Sequence, residues 1–110
     1  MLGLVLAFSI VAVASDEVVL DCRMKGEPTQ LWSVTLDEAK HSAMFVGGGS
    51  VDRTNAYFTP KTVLFVTGSQ NGPKEARTVY KIDRTDLSAK VGVPGQDWQD
   101  ATCQIVQRKF

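Results

Sequence analysis

Gln30-Leu31-Trp32-Ser33-Val34-Thr35-Leu36 alternates apolar and polar side chains with a period of two, so Trp32, Val34 and Leu36 point one way while Ser33 and Thr35 point the other. That period belongs to a half-buried β-strand, and the same rhythm recurs on both sides of it. Upstream, a strand over 17–25 puts Val18, Leu20, Cys22 and Met24 on one face, and Glu27-Pro28-Thr29 breaks it. Downstream, Asp37-Glu38-Ala39-Lys40 reads as a hairpin loop leading into 41–46, where Ala43 and Phe45 oppose Met44 and Val46. Further strands are expected near 54–58, 61–67, 76–83, 87–91 and 101–108, the last with Cys103 and Ile105 facing inward. No apolar 3.6-residue period lasts three turns, and single helical turns are expected only around 36–41 and 96–100. Short strands punctuated every 8 to 12 positions imply an all-β domain. The expected fold is a small antiparallel meander of seven to eight strands, a barrel or a two-sheet sandwich.

Three segments depart from simple alternation. Gly47-Gly48-Gly49-Ser50 reads as a mobile hairpin loop, since no GK[ST] or helix follows to make it a phosphate loop. Gly68 to Glu75 reads as a long polar loop. Val63-Leu64-Phe65-Val66 is apolar throughout, which suits a strand covered on both faces or one whose outer face meets a partner.

Residues 1–14, MLGLVLAFSIVAVA, carry no charge and end in Ala12-Val13-Ala14 before turning polar at Ser15-Asp16-Glu17. This reads as the hydrophobic core and small-x-small cleavage site of a signal peptide, although no Lys or Arg precedes the apolar run; a buried first strand or helix is the alternative. It is short for a transmembrane helix, which needs about 20 apolar residues. The expectation is a signal peptide over 1–14, a single domain over 15–110, a periplasmic or secreted location and no stable membrane insertion after cleavage. Two cysteines, Cys22 and Cys103, stand near the ends of that domain. In an oxidising compartment they are expected to pair, tying the first strand to the last. Two Cys and a distant His41 do not make a four-ligand zinc site, so no metal and no cofactor is expected.

Lys and Arg number 12, as do Asp and Glu, and the basic residues are scattered. Nucleic-acid binding normally requires a concentrated basic excess and is not expected. His41 stands alone, without a Ser or Cys nucleophile in a recognisable setting. The carboxylate pairs Asp37/Glu38 and Asp83/Asp86 fall in turns, where Asp bonds the local backbone. Trp98, set in the polar run Gly95-Gln96-Asp97-Trp98-Gln99-Asp100, suits contact with a protein or a carbohydrate, or the capping of one barrel end. Tyr57 and Phe58 are adjacent in a strand, so one of them faces outward. Trp98, Tyr57 and Phe58, with the Gly-rich and 68–75 loops, form the expected contact surface.

Trp32-Ser-Val-Thr-Leu-Asp-Glu-Ala39, Phe58-Thr-Pro60, Tyr80-Lys-Ile-Asp-Arg-Thr85 with Leu87, and Thr102-Cys103-Gln104 together resemble small uncharacterised exported proteins of Gram-negative bacteria and their phages. The resemblance implies a periplasmic β domain with no known activity. In outline the chain is also similar to the periplasmic lysozyme inhibitors of the MliC type. Their Ser-Gly-x-x-Tyr segment is not reproduced by Gly49-Ser50-Val51-Asp52-Arg53, so an inhibitor role rests on architecture alone. The expected function is a non-enzymatic binding module, an inhibitor or accessory protein. The alternatives are a small hydrolase using loop carboxylates or His41, and an assembly protein using the outer side of Val63–Val66.

Overall fold

The computed structural model describes residues 17–27, 29–68 and 77–106. The signal-peptide segment, the loop at 69–76 and the last two positions of the expected closing strand lie outside them. Eight strands follow in chain order: β1 (Glu17–Met24), β2 (Leu31–Asp37), β3 (Ser42–Gly47), β4 (Ser50–Phe58), β5 (Thr62–Thr67), β6 (Thr78–Asp83), β7 (Ser88–Gly92) and β8 (Gln99–Ile105). Each pairs antiparallel with the next, and β8 returns to β1, closing the barrel. Closure places Leu20 opposite Ile105, Cys22 opposite Cys103 and Met24 opposite Ala101. The Cys22–Cys103 disulfide spans this seam. A disulfide in so small a domain is compatible with an oxidising compartment.

Alternation decides what fills the barrel. Leu20, Cys22, Val34, Phe65, Ile82 and Ala101 are among the inward residues, each at most 2% exposed. At one end four aromatics from β2, β3, β5 and β6 meet across the interior. The Tyr80 ring stacks on Phe65 with centroids 4.9 Å apart, and lies 4.9 Å from Trp32 and 4.8 Å from Phe45. Trp32 Nε1 donates to Met24 Sδ at 3.3 Å, which satisfies a buried donor. Outward positions carry Asp21, Arg23, Arg53, Lys81, Lys90 and Gln104.

Several local expectations are corrected. Gly47 and Ser50 pair as the last and first residues of β3 and β4, so β4 begins four residues earlier than expected. Only Gly48 and Gly49 form the turn, with φ of +58° and +79°; both are left-handed, as a two-residue type I′ hairpin requires. That is a tight turn and not a mobile loop. No helix forms at 36–41 or 96–100: Leu36 and Asp37 end β2, residues 38–41 turn, and Gln99 already belongs to β8. Val63 and Phe65 are buried while Leu64 and Val66 are half-buried, so β5 alternates after all. Ile105 shares the inward face of β8 but is 57% exposed, because the barrel is open where β8 ends.

Burial pushes the Tyr80 phenol above its ordinary value, with Asp52 adding to the rise and a hydrogen bond from the Thr67 side chain opposing it. A native pKa above the unfolded one favours folding fully below the unfolded value of 10.0, and that contribution is lost as pH rises beyond it. Urea midpoints should therefore fall more steeply between pH 9 and 11 in the wild type than in Tyr80→Phe, measured in parallel by fluorescence.

Candidate functional site

Because every strand reverses direction, the connections divide between two ends. The β2–β3, β4–β5 and β6–β7 turns gather at the end where β1 starts and β8 finishes, here termed the mouth. The β1–β2, β3–β4 and β7–β8 connections gather at the other end, beside the aromatic cluster.

At the mouth, side chains do the work of holding turns. Asp37 Oδ1 accepts the Lys40 amide at 3.1 Å. Asp83 Oδ1 accepts the Thr85 amide at 2.8 Å and the Thr85 hydroxyl, and Asp86 Oδ1 accepts the amide and hydroxyl of Ser88 at 2.9 and 2.7 Å. The Thr85 hydroxyl is the main reason that the Asp83 carboxyl is held below its ordinary range; the Thr85 amide adds to it. Arg84 spans three turns. Its guanidinium meets Glu38 Oε1 at 2.9 Å and the Thr59 carbonyl at 2.6 Å, and its carbon lies 5.8 Å from the Phe58 ring centroid. The Arg84 amide also donates to the Lys61 carbonyl at 2.7 Å.

Inside this rim is an apolar cup of about 180 Å³. Leu20, Leu36, Val63 and Ile82 form its base, and Phe58 and Leu87 its walls. Leu87 has φ of +61°, a conformation seldom taken by a non-glycine residue. Its amide donates to the Asp83 carbonyl at 2.9 Å, and its carbonyl accepts from Cys103 at 2.9 Å, which fixes it there. His41, with φ of +51°, is an exposed turn residue whose carbonyl accepts from Ala56 at 2.9 Å.

The second concavity, about 710 Å³, lies across β8, β1, β2 and β3. The register explains its order. Gln104, Asp21, Ser33, Val46 and Val51 stand directly opposite one another in sequence across five strands, forming one continuous row on the outer face. Thr102, Arg23 and Leu31 form the next row. The polar half lies on β8 and β1, and the apolar half on β2 to β4. Leu31, Val46 and Val51 are 57%, 42% and 61% exposed. The half-buried Cys103 also lines this groove, so the disulfide braces the floor.

The three aromatic residues expected to share a surface are separated. Tyr57 is 68% exposed on the outer face of β4, while its neighbour Phe58 turns into the cup at the mouth. Trp98 stands at the opposite end, 55% exposed. It does not cap the barrel. Its ring lies on the outer face of β7, where a Cβ on Gly92 would fall 2.7 Å from Cζ3 and 2.8 Å from Cη2. Gly92 is thus the seat of the indole. Neither the cup nor the groove stood out in the sequence. The groove is assembled by register across distant strands, and Leu31 and Val46 read there as ordinary strand residues. Among the described residues no group of three His, Cys, Asp or Glu side chains could hold a metal ion.

No protein-family model matches the chain, no curated protein matches it, and no solved structure matches it.

Gly92→Ala should unseat Trp98, because a Cβ closer than 3.0 Å forces the ring to move. The expected result is a red-shifted Trp98 emission in a Trp32→Phe background, with the barrel's circular dichroism retained. An unchanged spectrum would mean that the indole is not seated there.

Proposed function

We propose that this protein is a non-enzymatic binding module of the periplasm or extracellular space, and that it docks a partner protein along the outer groove over β8, β1, β2 and β3. The observation carrying this reading is the groove itself, with Leu31 and Val46 exposed beside Asp21 and Arg23 on a four-strand floor braced by a disulfide, and with Val51 continuing the apolar row onto β4. Exposed apolar side chains rimmed by charge are the composition of a protein-contact patch. A groove of this volume is within the roughly 300–1,000 Å³ typical of ligand sites. Because the floor is a closed sheet, little conformational entropy is lost when a partner binds.

The engaged carboxylates favour binding over hydrolysis. Asp37, Asp83 and Asp86 each accept backbone amides within their own turns, and Glu38 is paired with Arg84. A general acid needs a carboxyl held above its ordinary range, whereas Asp83 is shifted the other way. Export of the chain through a signal peptide at 1–14 accords with the disulfide, and an inhibitor is one form such a module takes.

The test is capture from periplasmic extract by the immobilised oxidised protein, compared with Leu31→Asp/Val46→Asp and with Trp98→Ala. The groove variant should lose its partner by at least about tenfold in affinity, corresponding to about 1.4 kcal/mol. Trp98→Ala should retain it. Identical capture by the groove variant would overturn the reading.

A further inference from the structure

We infer that the mouth of the barrel is a second and separate binding site, one that takes a small neutral apolar molecule about the size of a single aromatic ring. The cup holds about 180 Å³. That is below the roughly 300–1,000 Å³ of sites for larger ligands, yet close to a 150 Å³ apolar cavity that accepts benzene. Its base is made of Leu20, Leu36, Val63 and Ile82, which are at most 6% exposed and offer no polar atom from their side chains.

The charge at the rim selects against ions. Arg84 and Glu38 are the charged residues lining the cup, and they neutralise one another at 2.9 Å. Arg84 further spends a donor on the Thr59 carbonyl. A carboxylate ligand would have to compete with Glu38, and an ammonium ligand with Arg84; a neutral molecule disturbs neither. The backbone offers an independent sign. Leu87 is held in a left-handed conformation between the Asp83 carbonyl and the Cys103 amide, and this conformation places its side chain in the cup wall. Strained residues that persist are concentrated at binding sites. Val18 and Ile105, 41% and 57% exposed, leave the entrance open beside β1 and β8.

The experiment is a titration of the oxidised, methyl-labelled protein with toluene, benzoate and benzylammonium, followed by NMR. Toluene should give saturable shifts at the methyls of Leu36, Val63, Ile82 and Leu87, while those of Leu31 and Val46 in the outer groove stay still. Benzoate and benzylammonium should bind at least tenfold more weakly. Val63→Phe should abolish binding by filling the cup. Because that change sits in the core, Ile105→Trp is made as well: it alters an exposed position that lines the cup and should weaken toluene at least tenfold by putting the indole in the space the ligand takes. Unsaturable shifts, benzoate binding as well as toluene, or unaltered affinity in folded Ile105→Trp would each overturn the inference. The groove methyls report on the other site, so partner docking there can fail or hold independently.

Discussion

The pairing of β1 with β8 is the constraint on which the structure depends. Five consecutive pairs, from Leu20 with Ile105 to Met24 with Ala101, turn a linear meander into a closed surface. Without them β1 and β8 would each present an open edge of unpaired amides and carbonyls, a template for association. The contact joins residues about as distant in sequence as the described chain allows, 81 positions for the two cysteines. Closing so long a loop is entropically costly, and the disulfide removes much of that cost from the folding equilibrium by restricting the unfolded chain. The same seam orders the outer row in which Gln104 and Asp21 stand beside Ser33 and Val46.

Closure also explains why the molecule keeps its concavities outside and at one end. The far half of the interior is filled by Trp32, Phe45, Phe65 and Tyr80, whose rings touch across the barrel. At the mouth the inward residues are smaller, so the aliphatic side chains leave a cup. Over it, Arg84 joins the β2–β3, β4–β5 and β6–β7 turns through one guanidinium and its own amide. Exposed ion pairs contribute little to stability, typically under about 1 kcal/mol. The contribution of this one lies in holding three turns in a fixed arrangement.

Much of the fold was legible because a strand writes its two faces into alternate residues. Trp32, Val34 and Leu36 announced β2, and Cys22 with Cys103 announced which strands must meet. What escaped depended on geometry that period-two patterning does not encode. Gly48 and Gly49 read as a loose loop, yet their left-handed φ values make the tightest hairpin. The polar run around Trp98 concealed β8's start, because Gln99 and Asp100 are exposed polar residues at a sheet end and carry no apolar signal. Barrel and sandwich share one alternation, so only the β1–β8 ladder separates them. The candidate sites were less legible still. Val46 and Gln104 lie 58 positions apart in sequence, and only the register brings them to one row.

The most direct measurement is equilibrium urea unfolding of the oxidised protein against Cys22→Ala/Cys103→Ala, with peptide mapping of the oxidised sample for the Cys22–Cys103 crosslink. The account predicts a mapped crosslink and a loss of about 2–4 kcal/mol in the variant, with the denaturant slope rising as the unfolded chain expands. Superimposable unfolding curves, or two free thiols in protein recovered from its native compartment, would contradict it.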